Sequence, residues 1–217
     1  MSLNDSTSEI IKSINSMKKI EQDLKNIFDV SRLSLEENIN ILSNYGWYIS
    51  AEMEMKAIFK FNQLIKSEKQ DEAEMLMLKF YKKNLNKLKE NIIVKFPERE
   101  NIVKEAFIAH KKKMYNASTI LFLSQADGMC GAKIFRGPKV FNYNIDMKNN
   151  HSIINILGKE TALNVDTRKI DKSNYFTNLN RHSVMHGLEN NYGTEINSLK
   201  ALSFLCFVSN FFNRYKK

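Results

Sequence analysis

A chain of 217 residues with 43% hydrophobic content has room for one sizeable domain, or one domain and a helical arm, and enough apolar side chains for a real core. Its formal net charge of +9 suits a polyanionic partner such as RNA, DNA or an anionic surface. No apolar run approaches the ~18–20 residues of a membrane span, and the polar start MSLNDSTSEI has no signal-peptide apolar core, so membrane-spanning and exported classes drop out and a cytoplasmic protein is expected.

The predicted elements are helical from end to end, as 2 prolines and 7 glycines encourage. Ile10, Ile11, Ile14, Met17, Ile20, Leu24, Ile27 and Phe28 recur at three and four residues, an amphipathic helix with Ser6 to Ser8 offering its N-cap. Ser34 and Glu37 have capping-box spacing ahead of Ile39, Ile41 and Leu42, and Asn44-Tyr45-Gly46 reads as the stop. Trp47 and Tyr48 lead into a helix near 51–66, and a longer pattern runs from about Asp71 to Lys95. The methionines at 53, 55, 75 and 77 read as core or interface filler.

Pro97 is the clearest punctuation. Proline suits the first turn of a helix, and PEREN supplies acids to the positive end of the helix dipole. Ile102 to His110 is amphipathic, and TILFLSQADGMCGAKIF (119–135) is more apolar and so deeper. Residues 136–150 read as a loop, SIINIL as a short apolar patch ending at Gly158, and 160–175 show no clear pattern. Phe176 to His186 reads as a helix stopped by Gly187, LENNYG as a turn, and Thr194 as the cap of a last helix. That helix is apolar on nearly every side from Ile196 to Phe212, so it is buried or lies in an interface. The expectation is an all-α multi-helix bundle, with residues 1–95 an N-terminal helical region of unassigned role and 96–217 a second helical unit. Cys130 and Cys206 sit in apolar helical text, as buried free thiols of a reducing compartment do.

The chemistry concentrates in RHSVMHG. P-loop, GxGxxG, CxxC, HExxH and GxSxG motifs are all missing. The histidines are His110, His151, His182 and His186, of which His110 is expected to be packed or partly exposed rather than catalytic and His151 to have no role. His182 and His186, four apart, share a helix face and make a competent metal pair. A third ligand from Glu189, Asp127 or Cys130 is not fixed by the sequence, and no metal or other cofactor is expected. Arg181 and His186 are the more informative pair. Five residues is about 140° around a regular helix, so the two converge only if His186 sits on a loosening last turn, which Gly187 favours.

RNA cleavage without a metal needs a base for the 2′-hydroxyl proton, positive charge on the phosphorane oxygens, and an acid for the leaving oxygen. Imidazole serves as base or acid near neutral pH, and guanidinium as a charged fork to phosphate. One copy supplies one of each. Two copies about a two-fold axis supply two, and the apolar last helix is the expected source of such a dimer.

Arg181-x4-His186, late in an all-α chain, resembles the R-x4-6-H motif of the HEPN superfamily. The polar His182 after the arginine fits that motif. NRHSVMHG with YGTEINSLKA, preceded by EAFIAH (105–110), Tyr115 and QADG (125–128), resembles a largely uncharacterised bacterial HEPN-like subgroup over roughly residues 97–217. The resemblance implies a HEPN-like C-terminal half and a metal-independent endoribonuclease leaving a 2′,3′-cyclic phosphate. It implies a role in anti-phage defence or toxin–antitoxin growth control, RNA as substrate, a homodimer, and an antitoxin or defence-system partner protein. In this reading His186 moves protons, Arg181 holds the scissile phosphate, and His182 and Asp127 orient them. Asp127, an acid inside FLSQADGM, needs a partner if buried, and Arg181 or a histidine is the obvious one. Tyr192 and Asn197 are candidates for the turn and cap or for substrate contact, Tyr192 by stacking on a base. The alternatives are a non-catalytic HEPN-like module binding a protein or nucleotide, and a purely structural bundle.

Overall fold

A computed structural model describes residues 12, 14–22, 24, 35–130, 161–163, 165, 177 and 179–211. All regular structure among them is helical. In chain order the helices are α1 (Leu35–Asn44), α2 (Met55–Lys66), α3 (Gln70–Lys95), a 3-10 turn (Pro97–Arg99), α4 (Glu100–Lys111), α5 (Tyr115–Met129), α6 (Arg181–Met185) and α7 (Glu195–Phe211). Residues 14–22 ahead of them are helical and exposed. Ser34, the 136–150 loop, His151, the SIINIL patch and Phe176 lie outside the described residues, as does most of 160–175. No helix among those described is long and apolar enough to cross a membrane.

The bundle is built around α7. Every residue from Asn197 to Ser209 is buried, which explains a sequence apolar on all faces. α7 packs most extensively against α5 and also against α3, while α4 lies against α5 and α2 against α3. The last helix is therefore buried inside one copy, one of the two readings of its sequence, and is not itself the surface expected to make a dimer. Its serines are satisfied locally: Ser203 Oγ donates to Lys200 O (2.6 Å) and accepts from Tyr48 N–H (3.2 Å), and Ser209 Oγ donates to Cys206 O (2.9 Å). Both cysteines are free and buried, and burial pushes both thiols well above their ordinary range.

One hydrophobic cluster holds residues from both sides of Pro97, from Ile39, Trp47 and Tyr81 to Phe107, Phe122 and Phe207. Trp47 stacks on Tyr81 (centroids 5.6 Å apart), and its Nε1 donates to Glu74 (3.0 Å). Lys200, from α7, reaches the same Glu74 oxygen at 2.8 Å and lies 5.5 Å from the Trp47 ring centroid. Residues 47–50 are buried and without regular structure, and 51–53 make a turn, so α2 starts at Met55 rather than near 51. Met53 and Met77 enter the core, whereas Met55 and Met75 are exposed.

The helix ends follow one device. α1, α2, α4 and α6 each close with a Schellman motif, in which the C″ amide returns to the C3 carbonyl and the C′ amide to C2. The pairs are Trp47 to Leu42 with Gly46 to Ser43, Lys69 to Leu64 with Glu68 to Ile65, Met114 to Ala109 with Lys113 to His110, and Leu188 to Ser183 with Gly187 to Val184. The C′ residues Gly46, Glu68, Lys113 and Gly187 all have positive φ. The break at Lys113 lets α5 begin at Tyr115, four residues before the apolar run suggests. α5 ends at Met129, with Cys130 as its C-cap; residues 131–135 of the expected run lie outside the described residues.

Candidate functional site

The site is carried by the C-terminal turn of α5 and by α6, two segments the chain holds together through α6's start. Asn180 is that start. Its Oδ1 accepts from Ser183 N–H (2.9 Å) as an N-cap, and its Nδ2 donates to Ala162 O (3.2 Å) and Val165 O (3.0 Å). Arg181 N–H donates to Leu163 O (2.9 Å). The helix therefore begins at Arg181: Asn180 is extended as its N-cap, and the described residues 177 and 179 before it are not helical.

From that fixed position Arg181 Nη2 reaches Asp127 Oδ2 at 2.5 Å, with both side chains about four-fifths buried. A guanidinium and a carboxylate both mostly removed from water need this pairing. Asp127 is thus where the sequence places it, an acid in an apolar helix whose partner is Arg181. At the other end of α6, His186 is the C-cap and Gly187, at φ 68°, reverses the chain. His182 and His186 are exposed and lie side by side, ring centroids 4.4 Å apart at 53°. The structure brings together Arg181 with Asp127, and His182 with His186. Among the described residues no hydrogen bond links the His186 ring to either member of the ion pair. Nor does any group of three His, Cys, Asp or Glu side chains there stand in a metal-holding arrangement.

The YGT turn ties this region to α7. Thr194 Oγ1 accepts from Asn197 N–H (3.1 Å), and Asn197 Nδ2 donates to Tyr192 O (3.1 Å). Asn197 is 6% exposed, and Tyr192 packs partly buried against the core. Both residues have turn and cap contacts, as one of their two sequence readings holds. His110 is buried at the α4–α7 contact, its Nδ1 2.8 Å from Ser198 Oγ, which in turn lies 2.6 Å from Ser118 Oγ. Burial holds this imidazole below its ordinary pKa, Glu195 opposes that shift and Lys82 adds to it.

Arg99, Gln125 and Gly128 were not legible as site residues. Arg99 Nη1 donates to Gln125 Oε1 (2.7 Å), so the guanidinium lies along α5. A Cβ on Gly128 would stand 2.8 Å from Arg99 Nη1, which accounts for a glycine inside a helix. The text QADG is thereby explained residue by residue: Gln125 and Gly128 seat Arg99, and Asp127 seats Arg181. The one usable sequence signal was this glycine, since an interior helical Gly costs about 1 kcal/mol against Ala and asks for a reason.

A separate cavity of about 220 Å³ is lined by Tyr45, Trp47, Phe61, Gln70, Asp71 and Glu74, and none of the α5–α6 residues borders it. The chain matches no protein-family model, no curated protein and no solved structure.

Proposed function

We propose that the chain is a metal-independent endoribonuclease of the HEPN type, acting in bacterial anti-phage defence or toxin–antitoxin growth control as a homodimer. The observation that carries this reading is the arrangement along α6: Arg181 is pinned by Asp127 at its first position, while His182 next to it and His186 at its C-cap stand exposed with their rings side by side. Arg181 holds the phosphate from its fixed place beside Asp127. His186 takes the 2′-hydroxyl proton, attack on phosphorus closes the 2′,3′-cyclic phosphate, and the 5′-oxygen leaves with a proton from an imidazole. His182, at ring contact, orients His186. A second copy brings the second imidazole and guanidinium, on a surface other than α7. The net charge of +9 favours RNA approach.

The test is cleavage of a fluorescently labelled single-stranded RNA in the presence of EDTA. His186→Ala should slow it by about 10²–10⁴-fold, the range of a lost acid–base group, and Arg181→Ala by about 10²–10³-fold. Wild-type rates in both variants end this proposal.

The second reading is a non-catalytic HEPN-like module that binds a protein partner or a nucleotide. It is favoured by the Arg181–Asp127 pair itself, which engages the guanidinium before any substrate arrives. Absent cleavage with retained RNA or nucleotide binding selects it.

A further inference from the structure

Arg99 is a mostly buried cation without a counter-ion among the described residues. Its contact is the neutral Gln125 carbonyl at 2.7 Å, and its Nε is buried with no hydrogen-bond partner. Two nearby acids have other partners: Glu100 pairs with Lys104 (2.6 Å) and Asp127 with Arg181 (2.5 Å). Removing a guanidinium from water without a carboxylate is costly, and glycine at 128 preserves the close approach that makes it so. Arg99 therefore meets α5 at 125 and 128 and Arg181 meets it at 127, within a single turn. The charge of Arg99 is felt at Cys130, beyond Asp127, where the two oppose each other.

We infer that Arg99, seated on Gln125 and Gly128, is a second phosphate-binding residue that holds the RNA backbone one step away from the phosphate at Arg181. The inference rests on the nucleic-acid reading above but not on catalysis. With no carboxylate among the described residues paired to Arg99, the ligand's own phosphate supplies the counter-charge, and the guanidinium is held in place before it binds, so little ordering is lost when RNA arrives. Two fixed cations on one helix turn, rather than scattered lysines, set which stretch of backbone lies across α6.

The experiment is fluorescence anisotropy with a labelled 2′-O-methyl oligoribonucleotide, which binds but lacks the attacking hydroxyl. Arg99→Gln should weaken binding about tenfold and flatten the slope of log affinity against log salt by about 0.7, the loss of one single-strand phosphate contact. Gly128→Ala keeps every charge but drives a methyl into the Arg99 seat. It should weaken binding in the same direction while its Tm stays level or rises, so a folding defect in Arg99→Gln cannot decide the matter. Lys66→Gln, a charge loss away from the site, sets the baseline. Affinity and salt slope at that baseline in both Arg99→Gln and Gly128→Ala overturn the inference, as does a wild type that does not bind the oligonucleotide. Absent cleavage with intact, Arg99-dependent binding sinks the nuclease reading alone.

Discussion

Arg181 is held from both ends of its own residue, its amide by Leu163 and its guanidinium by Asp127. The ion pair was legible because an acid inside FLSQADGM has few ways to be satisfied, whereas the Leu163 contact was not, because 160–175 has no periodicity to read. His110 shows the same limit. Burial is one of the two settings its sequence allows, but its bond to Ser198 was not legible, since 88 residues separate them. That burial makes a pH prediction. With the folded imidazole below its ordinary pKa of about 6.5, the unfolded chain binds a proton first as pH falls. Stability is then full above about pH 6.5 and is lost as pH drops from there toward the folded pKa, below which the loss levels off. Melting temperatures measured between pH 7.5 and 5 should show this decline, and His110→Asn should remove part of it. Identical pH dependence in the two proteins would exclude His110 as the cause.

At the level of elements, helix starts and stops were readable where their chemistry is the usual one. Gly46 and Gly187 announce their Schellman ends and Thr194 its cap. Glu68 and Lys113 occupy the same left-handed position without a glycine; the ends expected near 66 and 110 still fall within a residue of Lys66 and Lys111, while α5 begins four residues earlier than its apolar run suggests. The short α6 was overextended because Phe176 and Leu179 continue an apolar spacing that Asn180 in fact terminates. A left-handed L-residue costs roughly 1–2 kcal/mol, and glycine returns part of that gain as chain entropy. Lys113→Gly should therefore stabilise the protein by about 0.5–1 kcal/mol, read as a Tm increase of about 1–4 °C for a chain of this size. A lower Tm would mean that the lysine side chain holds the α4–α5 corner by some other contact.

Across the whole molecule, the division at Pro97 follows the punctuation of the sequence, while the packing runs through it. An all-α bundle was legible from spacing alone, because each helix carries its own apolar stripe. Which stripes meet is a long-range matter, and the Glu74–Lys200–Trp47 cluster joining α3 to α7 has no local signature. Lys200 is 2% exposed, and burial lowers its pKa while Glu74 opposes the shift. Removing that carboxylate leaves an uncompensated buried ammonium. Glu74→Gln should cost about 2–3 kcal/mol in urea unfolding followed through Trp47, the only tryptophan, somewhat less than the about 3–5 kcal/mol of a fully buried pair because the Glu74 side chain is 31% exposed. A lysine whose folded pKa lies below its unfolded one gains stability as pH rises through the interval between them, so the deficit of Glu74→Gln should shrink between pH 7 and pH 9. Lys200→Met added to Glu74→Gln should recover most of the loss at pH 7, since the long apolar side chain fills the same space without the charge. If the double variant is no more stable than Glu74→Gln alone, the two halves are joined by shape and the buried charge is incidental to it.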